Sequence, residues 1–280
     1  MMTLAELAEL YLKAKRSQVP PLKAYESLER RVDTIVGELG HLHLTEVSTA
    51  RVEAYKSFRG HSGNGGEDIV SYSTVNRELA RLKSMLKWAI ENRLLTHDMM
   101  PTIRMLPENP ARTRICSPRE YLDLLEVSHY PLRGMIILAY NTGMRRGEIA
   151  KLKWKQVDLK ARIIALNPED TKTRTGRRIP LEVPVRDYLK ELERVGDWVF
   201  QYDGKPVSPT EPCRKAWELA RKKIGASDLR FHDFRHTFVT RKRKEGVHDH
   251  VIMSIVGHTT DSMFRRYDSI DDDDLMEAVG

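Results

Sequence analysis

Cysteine is scarce in this sequence, and long hydrophobic runs are missing from it. Cys116 and Cys213 are the only cysteines among 280 residues, too few to build a disulfide framework. No stretch approaches the roughly 18 apolar residues that a membrane-spanning helix needs. The start, MMTLAELAELYLKAKRS, mixes apolar with acidic residues and does not have the pattern of a signal peptide. We therefore expect a cytoplasmic protein in a reducing compartment.

Positive charge is in excess, but in only one part of the chain. The sequence has 47 Lys and Arg residues against 40 Asp and Glu, a net charge of +7. Residues 1–110 carry 15 basic and 14 acidic side chains, whereas residues 111–267 carry 32 and 20. Such an excess favours a polyanionic partner, although Lys and Arg also simply solvate helix faces. The charge alone leaves both interpretations open.

The first hundred residues show helical periodicity and no strand pattern. Thr3 and Glu6 have the spacing of a capping box, and Gly40 and a glycine-rich segment mark later breaks. The apolar stripes fit a compact helical unit without any ligand. Four helices are predicted, over residues 3–19, 22–39, 48–60 and 73–95.

A proline-rich stretch then indicates a domain boundary. We predict a first domain over residues 1–100, a linker over 101–115 and a second domain over 116–280 with a short acidic tail. Three arginines of the linker could follow a DNA backbone, namely Arg104, Arg112 and Arg114.

The second domain is predicted to be mainly α with a small sheet. Helical patterns cover residues 118–125, 132–141 and 144–154. Two short β-type runs, 162–166 and 178–183, flank the letters TKTRTG and indicate a hairpin. Helices resume near residue 185 and continue to the end.

Several motifs in this domain place polar side chains at helix ends. Gly143 ends a predicted helix and presents Arg145 at the start of the next, a favourable position for holding phosphate. Glu148, three residues on, could orient the Arg145 guanidinium by a charge-assisted hydrogen bond. His232 and Arg235 have the spacing of one helix face, with apolar residues supplying its buried side.

Further along, His258 follows Gly257 at the end of an apolar helix, nine residues before Tyr267. One alternative interpretation is a zinc site, because the spacing of His232 and His236 can bind a metal. Cys213 or His258 would then be a further ligand, but no paired CxxC accompanies them.

Together, and in this order, these residues resemble the tyrosine recombinase, or phage integrase, family of site-specific DNA recombinases. The stretches TGMRRGEI, TKTRTGRRIPL, HDFRHTF and GHTTDSMFRRY carry the resemblance, which covers about residues 116–270. The first domain looks like the family's helical, SAM-like core-binding domain. The resemblance implies six catalytic positions with Glu148 in support: Arg145, Lys172, His232, Arg235, His258 and the nucleophile Tyr267.

The implied chemistry is physically reasonable for these side chains. Two planar guanidiniums can neutralise the charge that gathers on a phosphodiester under attack, so no metal or nucleotide cofactor is expected. The resemblance further implies a 3′-phosphotyrosine intermediate, strand exchange through a Holliday junction and a homotetramer on double-stranded DNA sites. Accessory DNA-bending or directionality factors are possible partners in this interpretation.

Two other functions use a similar set of residues. A type IB topoisomerase has the same chemistry and would only relax DNA, although the compact two-domain layout favours recombination. A non-catalytic DNA-binding accessory protein would keep the fold without cleaving DNA. That alternative is disfavoured because the arginines and the tyrosine are all present.

Overall fold

The chain forms two compact units in a computed structural model, Met1–Pro110 and Ala111–Gly280. None of the helices described is both long enough and apolar enough to cross a membrane. The structure describes residues 1–22, 24–61, 70–108, 114–171, 175–202, 204–207 and 213–257.

The first unit is built from helices, as the sequence predicts. The capping box at its start is confirmed: the Thr3 backbone N–H donates to Glu6 Oε2 (2.8 Å), and the Glu6 N–H donates to Thr3 Oγ1 (3.2 Å). The α-helices among its described residues are α1 (Leu4–Arg16), α2 (Tyr25–Leu39), α3 (Thr49–His61) and α4 (Tyr72–Glu91).

Helix α4 supplies the largest apolar stripe of the first core. Its side chains at helical spacing are fully buried, and they pack with residues of the other three helices. A partly buried ion pair joins α3 to α4, in which the Arg59 guanidinium donates to both carboxylate oxygens of Glu78 (3.0 and 2.7 Å). The Tyr55 hydroxyl also donates to Glu78 (2.7 Å).

The first part of the predicted linker, after α4, packs against the first unit. Ile103 is buried in the core of the first unit. The Asn76 side chain of α4 donates to the Leu106 carbonyl (2.9 Å) and accepts from its N–H (2.8 Å). These bonds hold residues 103–106 against the helical unit. The proline content of the segment did not predict this tertiary contact.

The second unit is a helical domain with two small antiparallel sheets, so the predicted fold class is confirmed. Helix α6 lies at its centre, buried over nearly its whole length. The α-helices are α5 (Pro118–Val127), α6 (Leu132–Thr142), α7 (Arg146–Ala150), α8 (Val183–Glu191), α9 (Cys213–Lys223), α10 (Asp233–Lys244) and α11 (Asp249–Val256), and the strands are β1 (Val157–Asp158), β2 (Ile163–Leu166), β3 (Arg177–Pro180), β4 (Gln201–Tyr202) and β5 (Lys205–Pro206).

The larger sheet has the order β1-β2-β3. Ile163 pairs with Pro180 and Leu166 pairs with Arg177, so β2 and β3 form the antiparallel pair predicted on either side of TKTRTG. Two expectations need correction. The helix predicted over 144–154 is only the five residues of α7 followed by a 3-10 turn, and the β4–β5 hairpin has too few residues to produce a strand pattern.

Arg114 is not a free cation for DNA in this structure. Its guanidinium pairs with Glu120 and donates to Asp228 Oδ2 (2.9 Å). These two carboxylates, through hydrogen bonds, raise the pKa of Arg114. Arg104 is exposed, whereas Arg112 lies outside the described residues.

Candidate active site

The turn between α6 and α7 organises the site. Gly143 ends α6 with a left-handed backbone (φ +61°), a conformation that costs an L-residue strain. A Cβ at this position would also lie 2.8 Å from Cδ1 of Phe238 in α10. The Gly143 carbonyl accepts a hydrogen bond from Arg235 Nη1 (2.9 Å). One tight turn therefore both contacts Arg235 and leads directly into Arg145.

Arg145 caps α7 and is held by its neighbours on two sides. Its backbone N–H donates to Glu148 Oε2 (2.9 Å), and its Nη1 donates to Glu148 Oε1 (3.0 Å). This is the charge-assisted bond that the three-residue spacing predicts. Nη2 donates to the carbonyl of Gly257 (3.2 Å), and the side chain keeps 21% of its surface exposed. The guanidinium is thus oriented but still accessible to a ligand.

Glu148 is shared between two arginines. Arg177 donates to it from Nη1 (3.1 Å to Oε1) and Nη2 (2.7 Å to Oε2), a bidentate pair buried at 5% exposure on both sides. Burial alone would raise the pKa of Glu148, but the hydrogen bonds and charges of Arg177 and Arg145 outweigh it and lower the pKa. Glu148 therefore stays ionised and anchors both guanidiniums.

Arg177 is the residue of this network that the sequence analysis missed. It lies at the start of β3, where alternate side chains point inward, and it shares the buried face with Ile179. An arginine in register with a buried isoleucine faces the core and needs a carboxylate partner. The alternation in RRIP therefore indicated a buried arginine at position 177. Its partner Glu148 lies 29 residues away, so the sequence spacing could not identify it.

Arg235 lies on α10 and is almost fully buried, with 1% of its surface exposed. The helical spacing predicted that Arg235 shares a polar face with His232, beside the buried side of the helix. It lies instead among the buried residues Phe234, Thr237 and Phe238. The buried position fixes its guanidinium against the Gly143 turn, because a side chain packed on all sides has few other rotamers.

His232 precedes α10 as its cap and has an exposed side chain. The protein atoms around the ring desolvate its charged form, and the positive charges of Arg235 and Arg145 act in the same direction. Together they lower the pKa of His232, against the opposing charge of Asp233. The imidazole is therefore neutral near pH 7. His232 also lies one helical turn from Arg235, whose backbone N–H donates to the His232 carbonyl (3.1 Å).

The end of α11 is tied to the same network. The helix ends at Gly257, again with a left-handed backbone (φ +72°). Arg177 Nε donates to the Ile255 carbonyl (2.8 Å), and Arg145 donates to the Gly257 carbonyl. Helix α11 packs through Ile252 and Val256. The last described turn of the chain is thus fixed beside Arg145.

Three of the predicted site residues lie outside the described residues: Lys172, His258 and Tyr267. The described part of the chain offers no support for the alternative interpretation as a zinc site. No three His, Cys, Asp or Glu side chains come together there to hold a metal ion. The thiol of Cys213 is buried and contacts the sulfur of Met135 (3.8 Å). In the described region, the structure brings together Arg145, Glu148, His232 and Arg235.

Arg145 keeps exposed surface with which to bind a phosphate diester, and Arg235 adds a second positive charge from its buried position. Arginine offers several N–H donors in a planar fork that matches two phosphate oxygens. A neutral imidazole can accept a proton from a hydroxyl that approaches the same phosphate. The arrangement suits phosphoryl transfer in which fixed cations stabilise the developing negative charge.

Comparison with known proteins agrees with this chemistry. Residues 115–273 match the phage integrase family. The integrase of Salmonella phage P22 is 29% identical over 207 residues, which cover 70% of this chain and 53% of that protein. The chain spans about half the length of the curated relatives that it matches first.

Solved structures show the same fold. The Tn1549 transposon integrase in complex with circular intermediate DNA superposes with a TM-score of 0.78, at 18% identity and full coverage of both chains. A lambda integrase tetramer bound to a Holliday junction has a TM-score of 0.73, at 19% identity over 95% of this chain and 77% of that one. With the family match over more than half of its length, the chain belongs to the phage integrase family, the tyrosine recombinases.

Proposed function

We propose that this protein is a site-specific DNA recombinase that cuts and rejoins DNA through a 3′-phosphotyrosine intermediate. The observation that carries the proposal is the Gly143 turn, which leads into Arg145 and accepts a hydrogen bond from Arg235, with His232 as the cap of the helix that holds Arg235. Family membership supports it, because the sequence supplies the remaining members of the constellation, Lys172, His258 and Tyr267 among them.

In the proposed reaction, the Tyr267 oxygen attacks the phosphorus and the bond to the 5′ oxygen breaks. His232 accepts the phenolic proton, which its lowered pKa permits near neutral pH. Lys172 gives a proton to the departing 5′ oxygen. Arg145, Arg235 and His258 stabilise the nonbridging oxygens. The phosphotyrosyl bond is reversed when a 5′ hydroxyl of the partner strand attacks it, so the exchange needs no nucleotide.

The proposed assembly is a homotetramer on two DNA sites. A solved lambda integrase is a tetramer bound to a Holliday junction, and a common fold supports the same arrangement here. We assign the helical first unit to core-site DNA binding and the second unit to catalysis. The larger basic excess of residues 111–267 is consistent with that division. Such a protein acts on DNA in the cytoplasm, with accessory DNA-bending factors as candidate partners.

The test is to trap the covalent intermediate. Wild type and Tyr267→Phe are incubated with fragmented host and mobile-element DNA in EDTA and denatured with SDS, and protein-linked DNA ends are sequenced. We expect adduct from wild type alone, at a recurrent sequence, because the phenol is the nucleophile and arginines provide the positive charge. Tyr202→Phe, at a half-exposed tyrosine of the same unit, serves as the matched control and should keep the adduct.

Each other outcome points elsewhere. Adduct that persists in Tyr267→Phe would remove the nucleophile assignment. Adduct scattered without sequence preference would favour a type IB topoisomerase. Strict magnesium dependence would indicate a different phosphoryl-transfer mechanism, and wild type that binds DNA but never forms adduct would be a non-catalytic accessory protein.

A further inference from the structure

Arg177 is a charged residue held inside the second unit, with 9% of the whole residue and 5% of its side chain exposed. Its guanidinium bonds in two directions, to the Glu148 carboxylate and to the Ile255 carbonyl. It also packs directly on Gly257, where an added Cβ would lie 3.1 Å from Arg177 Cδ and 3.2 Å from Nη1. The arginine therefore contacts both α7 and the end of α11.

These contacts close a ring of hydrogen bonds around Arg145. Glu148 accepts from Arg145 and from Arg177, and Arg177 donates to the backbone two residues before Gly257. Arg145 then donates to the Gly257 carbonyl. The Glu148–Arg177, Arg177–Ile255 and Arg145–Gly257 links join α7, β3 and the end of α11. The ring therefore fixes the position of Arg145 relative to the last turn of α11.

Stability alone does not require an arginine at this position. A buried ion pair can often be replaced by apolar side chains of similar volume without loss of stability, since desolvating two charges offsets their attraction. Apolar side chains in place of Arg177 and Glu148 would donate nothing to the Ile255 carbonyl and accept nothing from Arg145. A lysine has a single charged nitrogen and cannot reproduce the planar fork either.

We propose that Arg177 is a positioning residue for strand cleavage. It acts through Glu148 to hold Arg145 against the phosphate, and through Ile255 and Gly257 to fix the point from which the chain continues to His258. Arg177 itself is buried and does not meet the DNA. The inference rests on the proposed function, because it concerns the geometry of that same reaction.

The test compares cleavage of the core site by Arg177→Met and Arg177→Lys with wild type. Arg178→Met is the matched control, since Arg178 is the next residue on β3 and its side chain is exposed on the opposite face. We expect Arg177→Met to form adduct about 100-fold more slowly, as a displacement of about 1 Å can cause, with DNA affinity unchanged. Arg177→Lys should recover part of the rate, and Arg178→Met should match wild type.

A second substrate separates positioning from general damage to the fold. A methylphosphonate at the cleaved position is neutral, so it needs less help from the Arg145 charge than a phosphate does. If Arg177 acts by placing Arg145, the defect of Arg177→Met should shrink strongly on the methylphosphonate. A protein that is merely less well folded would lose the same factor on both substrates, and that result would overturn the proposal.

Two further measurements keep the test decisive if Arg177→Met folds poorly or wild type is inactive. The double variant Glu148→Met/Arg177→Met removes both buried charges, and we expect it to fold and still cleave slowly; wild-type rates from it would overturn the proposal.

Hydrogen exchange at residues 249–257 needs no catalysis. Backbone amides there should exchange faster in Arg177→Met than in Arg178→Met. Equal exchange would refute the role of Arg177 in fixing the end of α11, even if wild-type adduct had confirmed the recombinase. Absence of wild-type adduct, in contrast, would refute the proposed function alone.

Discussion

At the scale of single residues, the site depends on one buried carboxylate. Glu148 balances two arginines in a region with little access to water, and each arginine makes further bonds to backbone carbonyls. A buried charge that loses its partner leaves the other charge uncompensated. Substitutions at this cluster should therefore affect both stability and cleavage, whereas exposed charges nearby should affect neither.

Glu148→Gln should lower the free energy of unfolding by about 3–5 kcal/mol at neutral pH, because both guanidiniums lose a charged acceptor. The lowered pKa of Glu148 sets the pH dependence. Its contribution is fully present above the ordinary carboxyl value of 4.5 and is lost as the pH falls through the folded-state pKa. Denaturant unfolding at several pH values should show the difference from wild type shrinking below about pH 4.5.

The exposed Glu169 provides the control for that prediction. Glu169→Gln should change stability by no more than about 0.5 kcal/mol at any pH. A Glu148→Gln protein that matched wild type at neutral pH would show that the ion-pair network contributes nothing to folding.

His232 should titrate below the ordinary histidine value of 6.5 in the DNA-free protein, as desolvation and two arginines require. Arg145→Gln removes one of those positive charges, so we expect the His232 pKa to rise in that variant. An NMR titration of the imidazole protons measures both. Arg146→Gln, at the adjacent arginine that is not among the causes of the shift, should leave the pKa in place. Equal shifts in the two variants would contradict the proposed neighbourhood of Arg145 and His232.

At the scale of secondary-structure elements, helices that end at glycine bring the site together. Helix α6 ends at Gly143 and α11 ends at Gly257, both with left-handed backbones. The two carbonyls at these ends accept from Arg235 and Arg145. The last carbonyls of a helix lack intrahelical partners. Each of these two carbonyls instead accepts a hydrogen bond from an arginine of another element, which holds that element against the helix end.

Gly143→Ala should destabilise the protein more than Gly246→Ala. Both glycines have positive φ, +61° and +74°, so both alanines pay about 1–2 kcal/mol for the left-handed conformation. At Gly143 the new Cβ also meets Phe238 at 2.8 Å, whereas at Gly246 nothing lies within 4 Å. Overpacking adds about 1–3 kcal/mol. Denaturant unfolding measures both losses of stability. Equal losses for the two variants would mean that Phe238 moves aside at little energetic cost.

At the scale of the whole molecule, the described residues form one hydrophobic core in the first unit, and in the second unit a larger core and a small cluster between α10 and α11. The basic excess lies in the second unit. The first core is formed by α1 to α4 with the segment that follows them. The second surrounds α6 and includes the larger sheet. A unit with its own core can fold alone, and the charge excess gives that unit the stronger attraction for phosphate.

Expressed separately, residues 1–110 and 111–280 should each unfold cooperatively. The second fragment should bind random-sequence DNA with an affinity that falls steeply as salt rises, since each phosphate contact releases a counterion. Titrations at several salt concentrations should give a steeper slope for 111–280 than for 1–110. An equal or steeper slope for the first fragment would place the main electrostatic surface there instead.

Local rules in the sequence determined much of this protein. Capping residues, apolar periodicity and glycine stops predicted most helices, and the β-type runs around TKTRTG predicted the β2–β3 pair. Motif order predicted the family, which the comparison confirmed. These features depend on neighbours within a few residues, so they are visible without a fold. The catalytic roles of Arg145, His232 and Arg235 stay predictions.

Tertiary structure decided the rest, because it depends on residues distant in sequence. Within the predicted linker, Arg114 pairs with Glu120 and Asp228, and Asn76 holds residues 103–106. The burial of Arg235 and the pairing of Glu148 with Arg177 followed from packing across α7, α10 and β3. The sequence determines the charge of a side chain. Its exposure and its hydrogen-bond partner depend on how elements distant in sequence pack against it.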